Sequence, residues 1–240
     1  MRGLRWLALL LLLAVRGYGA TADFEAANQE FEEGHFGEAK ARYEKLVEAR
    51  AWTASLFYNL GNTEYRLGSP GRAILNYERA LALEPAHPEA LANLRFLRGK
   101  TGAKIPARAW WEPAFPWRSA NVWSVMMAVG AWGLIFSMTL LAVRRRQGWW
   151  LAVFGSAGLC AYAGGALWLA DQARATGIVT GTQAEARLAP ADSAGLAETL
   201  PAGSRVRILS ERGEWIYCTL PGKGRGWIPH RALERLHLAG

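Results

Sequence analysis

Two stretches in the middle of the chain contain no Asp, Glu, Lys or Arg: VWSVMMAVGAWGLIFSMTLLAV from Val122 to Val143, and WWLAVFGSAGLCAYAGGALWLA from Trp149 to Ala170. A helix needs roughly 20 apolar residues to cross the hydrocarbon core of a bilayer. The pattern therefore predicts two transmembrane helices, over 120–143 and 149–171, joined by a short turn at 144–148 that holds Arg144, Arg145 and Arg146. Trp123, Trp149, Trp150 and Trp168 stand near the run ends, where indole favours the headgroup zone. Gly130 and Gly133, and Ala157, Ala161 and Gly165, make small-residue faces that allow close helix contact. Such faces either close the hairpin or dock another membrane protein. A two-span hairpin returns the chain to the side it left.

Before the hairpin, over 23–100, the periodicity is helical and repeats every 34 residues. Phe31 matches Tyr65, Gly34 matches Gly68, Ala39 matches Ala73 and Tyr43 matches Tyr77, with Asn28/Asn62 and Glu30/Glu64 in the same register. A 34-residue helix–turn–helix unit is the tetratricopeptide (TPR) spacing. The stretch FYNLGNTEYRLGSPGRAILNYERALALEP resembles that family, with Leu60, Gly61, Gly68, Ala73, Tyr77, Ala80 and Pro85 at its signature positions. The first repeat departs from it, with Ala26, Ala27 and Ala51 in place of the usual Leu, Gly and Pro. A partial third unit begins at Pro88, and its Leu91, Leu94, Phe96 and Leu97 can cap the stack. First helices line the concave face in this family, so the resemblance offers Asn28, Tyr58, Asn62 and Tyr65 as protein-binding residues. A solvated polar face reads the same way.

After the hairpin, over 175–238, the pattern becomes strand-like. Val206 with Ile208 and Trp215 with Tyr217 follow a period of two. Pro201-Ala202-Gly203, Glu211-Arg212-Gly213 and Pro221-Gly222-Lys223-Gly224 supply turns. Five short strands in so few residues suggest a small barrel. ARLAP, LPAGSRVRIL, GEWIYCTL and GRGWIPHRALERL resemble successive blocks of the bacterial SH3 (SH3b) family. That resemblance makes Trp215, Tyr217 and Trp227 candidate ligand-binding residues, with burial of Trp227 in the core as the competing reading.

The remaining segments decide the topology. Residues 1–22 read as a signal peptide: Arg2 and Arg5, then an apolar core from Leu7 to Val15, then Ala20-Thr21-Ala22. Cleavage after Ala22 is the preferred reading and an uncleaved anchor the alternative. Either one exports the repeats. Residues 101–119 form a juxtamembrane linker in which Pro106, Pro113 and Pro116 forbid a long helix, while Trp110, Trp111 and Trp117 suit the interface. The arginine turn falls in the cytoplasm by the positive-inside rule. Lys100, Lys104, Arg108 and Arg118 pull the other way, and the N-terminal segment settles the orientation. The net charge of +8 is scattered and forms no basic stripe with interleaved aromatics, which excludes a nucleic-acid partner. Its source is better sought at the membrane surface.

Chemistry is sparse. No His has a second ligand at metal-like spacing, and there is no GxSxG, Cys–His arrangement or phosphate-cradling loop. Cys160 lies in the second span and Cys218 in the last segment. The expectation is no catalytic residue, no metal, no cofactor and no enzyme.

The order of signal peptide, short TPR array, Trp-rich linker, two-span hairpin and terminal SH3b segment resembles the BatE-like TPR proteins of the bacterial aerotolerance operon. The fold class that follows is a multidomain membrane protein with an all-α TPR solenoid, two transmembrane helices and an all-β SH3-like barrel. The resemblance implies an inner-membrane protein with both soluble parts in the periplasm. It implies partners among von Willebrand A-type membrane proteins and a MoxR-type ATPase system. The expected function is that of a scaffold or adaptor. The alternative is an envelope sensor or cell-wall tether that binds peptidoglycan through the SH3b segment.

Overall fold

Glycine punctuation builds the helical part. The computed structural model describes residues 21–106, 120–144, 148–222 and 224–238. The expected signal core, linker tryptophans and Arg145–Arg146 of the turn lie outside them. Helix α1 (21–32) closes on Gly34, whose φ of +85° suits a residue without Cβ. There Gly34 N–H donates to Phe31 O at 3.1 Å, and His35 N–H to Glu30 O at 2.8 Å. The same pair of bonds recurs 34 residues on, Gly68 to Tyr65 at 3.0 Å and Ser69 to Glu64 at 2.9 Å, ending α3 (Ala54–Arg66). Helices α2 (Phe36–Glu48), α4 (Pro70–Leu83) and α5 (Pro88–Thr101) complete the series. Pro70 and Pro88 sit in first turns, where their missing N–H costs nothing.

The repeated tyrosines hold the layers together. Tyr43 and Tyr77 are buried, and each hydroxyl donates to the asparagine 15 residues earlier, Tyr43 to Asn28 and Tyr77 to Asn62, both at 2.7 Å. The same acceptors take a second bond from the next layer, from Asn59 at 2.9 Å and Asn93 at 3.2 Å. A Cβ on Gly61 would sit 2.7 Å from the Tyr77 ring, so this tyrosine needs the bare backbone beside it. Its counterpart in the first layer is Ala27, fully buried.

The strands are β1 (Thr176–Val179), β2 (Gln183–Arg187), β3 (Leu196–Pro201), β4 (Arg205–Arg212), β5 (Trp215–Thr219), β6 (Arg225–Pro229) and β7 (Leu233–Arg235). Every strand pairing among the described residues is antiparallel, in the order β3-β2-β6-β5-β4-β1-β7. That is seven strands among the described residues, two more than the alternation suggested, because β1 and β7 are too short to show a period. Val206, Ile208, Ile216, Cys218 and Ile228 point into the sheet's core.

The segments flanking the hairpin belong together. Among the described residues, those of Met1–Pro106 and Thr176–Gly240 form one compact unit, and those of Ala107–Ala175 a second. Within the first, Ile178 of β1 packs into a cluster with Ile74, Tyr77, Leu94 and Leu97. Arg79 donates to the carbonyls of Arg235 at 2.9 Å and Leu236 at 3.2 Å.

The second unit is a pair of helices, α6 (Ala120–Arg144) and α7 (Trp149–Arg174). Both are long and apolar enough to cross a membrane, and only 11% of either apolar stretch is buried. A core helix of a soluble protein would be mostly covered. They pack against one another: Gly130 against Ser156 and Cys160, Gly133 against Ser156, and Trp123 edge-on to Tyr162 at 5.5 Å. Trp123 is buried with Ala163 and Ala166 instead of facing outward, while Trp150 and Trp168 are exposed. Ala157 and Ala161 are exposed too, so the Gly130–Gly133 face closes the pair. The whole is a multidomain protein of helices and an antiparallel sheet, with two candidate membrane spans.

Candidate functional site

The odd-numbered helices of the array share one face, and a hollow of about 260 Å³ opens there. Phe31 comes from α1, Asn62, Tyr65 and Arg66 from α3, Tyr77 from α4, and Asn93, Phe96 and Leu97 from α5. Asn62 and Asn93 present amides joined at 3.2 Å. Tyr65 and Phe96 stand edge-on at 6.4 Å, and Phe96 is 59% exposed. Two cations mark the rim. Lys100 Nζ lies 5.3 Å from the Tyr65 ring centre and 6.0 Å from that of Phe96. Arg66 sits 4.4 Å over the Phe36 ring. Burial holds the Tyr77 hydroxyl well above its ordinary range, so it stays a neutral donor at any physiological pH.

Such a hollow offers exposed rings for stacking, amides for hydrogen bonds and charge at the edge. Of the residues expected from sequence, Asn62 and Tyr65 line it. Asn28 does not; its Oδ1 is engaged by Tyr43 and Asn59. Tyr58 packs instead against Tyr77 at 6.0 Å and His87 at 4.9 Å. The repeat pointed to Phe31, which matches Tyr65, and to Asn93, which matches Asn59. Phe96 occupies the position of Asn62 one unit later, and it faces the hollow instead of capping the stack.

On the sheet, the expected trio divides. Trp215, Tyr217 and Trp227 are all half-buried and alternate with the inward Ile216, Cys218 and Ile228. Tyr217 and Trp227 are register partners on β5 and β6 with ring centres 4.9 Å apart. Trp215 instead lines a shallow hollow of about 410 Å³ with Pro190, Arg212, Gly213 and Glu214. Cys218 is buried, and desolvation pushes its thiol up to about 12, the setting of a packed thiol.

One cluster has no metal-like spacing in the sequence. Glu30, Glu33 and His35 bring their ligand atoms within 4.8 Å of one another. His35 Nδ1 lies 3.1 Å from Glu30 and 3.5 Å from Glu33, and Arg42 reaches Glu30 at 3.2 Å. The acids are thus already partnered around an exposed turn. The signal was the αL glycine at Gly34, which folds His35 back onto the helix end.

No protein-family model matches the chain. Over 75 residues, 31% of its length, it is 40% identical to the probable biofilm formation methyltransferase WspC of Pseudomonas aeruginosa, and it spans 18% of that relative. This corrects the expectation that the chain is not an enzyme, since the matching stretch occurs in a protein named as a methyltransferase. Nucleophile, metal and phosphate motifs do not mark every class of enzyme, so their absence from the sequence does not exclude methyl transfer. The chain is therefore similar, over under a third of its length, to part of a methyltransferase.

Proposed function

We propose that this protein is a membrane-anchored adaptor of the BatE-like kind, whose helical repeats form a TPR array and whose sheet forms an SH3b barrel. The array docks an extended segment of a partner protein in the Asn62–Phe96 hollow. The observation that carries this reading is the hollow itself: exposed rings, paired amides and two rim cations on one face. In this reading α6 and α7 span the bacterial inner membrane, and the soluble unit faces the periplasm. Because that unit is built from segments on both sides of the hairpin, the two segments share a compartment, as an even number of spans demands. The partner classes implied by the resemblance are von Willebrand A-type membrane proteins and a MoxR-type ATPase system.

A photocrosslinking amino acid at Phe96, used in the full chain in its native membrane, tests this. A protein adduct abolished by Asn93→Ala is the expected result, and the absence of any adduct would overturn it. Since the relative is named as a methyltransferase, the same preparation is assayed for methyl transfer to recovered proteins. A second reading is favoured by one feature, the half-exposed Tyr217–Trp227 pair: a wall tether that binds peptidoglycan peptides. Retention of the full chain on purified peptidoglycan, lost in Trp227→Ala, would favour it over the adaptor.

A further inference from the structure

Glu78, in α4, is buried, and its two carboxylate oxygens serve different parts of the chain. One accepts from Arg98 of α5 and the other from Arg205 of β4. Beside this triad the backbone just past α5 is joined to the sheet. Arg205 N–H donates to Lys104 O at 2.9 Å, Lys104 N–H to the buried Ser204 Oγ at 3.0 Å, and Lys104 Nζ reaches Glu198 at 2.8 Å. Helix α5 therefore has two occupied faces. One gives Asn93, Phe96 and Leu97 to the hollow, and the other, through Arg98, is held by Glu78 of α4, which the sheet's Arg205 also holds.

We propose that the sheet is the buttress that sets the groove, and that Glu78 is the positioning residue through which it acts. This rests on reading the hollow as a docking groove and adds its regulation. With Arg205 engaged, α5 is clamped against α4 and the Asn62–Asn93 pair is held in register. With the sheet displaced, α5 loses its outer support and the groove loses one wall. Anything that displaces β4 from α4 thereby changes what the array can hold. Buried charges suit this role because removing one partner leaves the others uncompensated.

The test is hydrogen exchange on the full chain in lipid nanodiscs, comparing wild type with Arg205→Met, which leaves every array residue intact, and with Glu78→Gln. Opening of α5 is local, so its amides report the clamp. The expected result is exchange over 93–101 faster by about tenfold in Arg205→Met and on the order of a hundredfold in Glu78→Gln, with α2 unchanged. The Asn93 side-chain amide resonance shifts while that of Asn59 does not. Change confined to 176–238, or a uniform rise across all helices, overturns the proposal. If Glu78→Gln fails to fold, Arg205→Met alone decides. A groove that yields no crosslinked partner while the α5 response is present sinks the docking reading and leaves the clamp standing.

Discussion

A Cβ on Gly71 would lie 2.7 Å from the carbonyl oxygen of Val179. The first turn of α4 and the end of β1 thus meet backbone to backbone, across the two segments that the hairpin separates in sequence. Carbonyl oxygens of a paired strand cannot yield as a side chain can. Gly71→Ala is expected to destabilise the soluble unit by about 1–3 kcal/mol. Gly37, with nothing within 4 Å of the same position in α2, gives the contrast: its change to Ala stabilises by roughly 0.5–1 kcal/mol. Urea titration of both variants checks the difference in sign.

Tyr77→Phe removes a hydroxyl that Asn62 accepts at 2.7 Å. Asn62 keeps its bond from Asn93, so the loss is that of one short hydrogen bond and of the long one that the hydroxyl accepts from Asn93 at 3.4 Å, together about 1 kcal/mol. Tyr43→Phe costs a similar amount, since Asn59 still serves Asn28. The two changes differ in the groove: Tyr77→Phe weakens capture at Phe96, and Tyr43→Phe leaves it unchanged. Crosslinking yield at fixed protein concentration separates them.

Alkaline pH is expected to unfold the soluble unit earlier than surface titration alone would. Burial raises Tyr43 from 10.0 to about 12 and Cys218 from 9.0 to about 12. Both are neutral when protonated, and the unfolded chain releases these protons first. Their contribution is therefore full below pH 9 and is lost as the pH climbs toward 12. Cys218→Ala flattens the part of that slope that begins near 9. Stability measured from pH 8 to 11 on wild type and variant shows it, and identical slopes would count against the burial argument.

Between α6 and α7, a Cβ on Gly130 would sit 2.8 Å from Cys160 Sγ and 3.1 Å from Cys160 N. Gly130→Leu forces α6 and α7 apart. Gly155→Leu, with open space at its Cβ, does not. Fluorescence energy transfer between probes on the two helices in nanodiscs should fall for the first variant alone.

The helices, and the apolar length of α6 and α7, were legible because they depend on local chemistry: glycine at positive φ, uninterrupted apolar residues, and tyrosines that repeat with them. The 34-residue register extends to the hydrogen bonds, where Asn93 joins Asn62 as Asn59 joins Asn28. What escaped was nonlocal. Nothing near Glu78 announces that its second arginine comes from residue 205, because a buried pair is set by tertiary approach and not by spacing. Tyr58 shares helix α3 with Asn62 and Tyr65 and, at spacings of four and seven, their face, but it lies a turn nearer the helix start, where the approach of α4 and of His87 brings it against Tyr77 and His87 instead of into the hollow. Trp123 looked interfacial by position, yet the small Ala163 and Ala166 opposite it leave room for an indole between the helices.

The union of α4 with β1 has a consequence for biogenesis. Ile74 and Glu78 emerge from the ribosome roughly a hundred residues before Ile178 and Arg205 can cover them, and two long apolar helices are made in between. Until then the early repeats carry a greasy flank and a half-neutralised carboxylate. The last strands act as a late latch, so a chain stalled at α7 is a substrate for proteases, while a finished one is sealed.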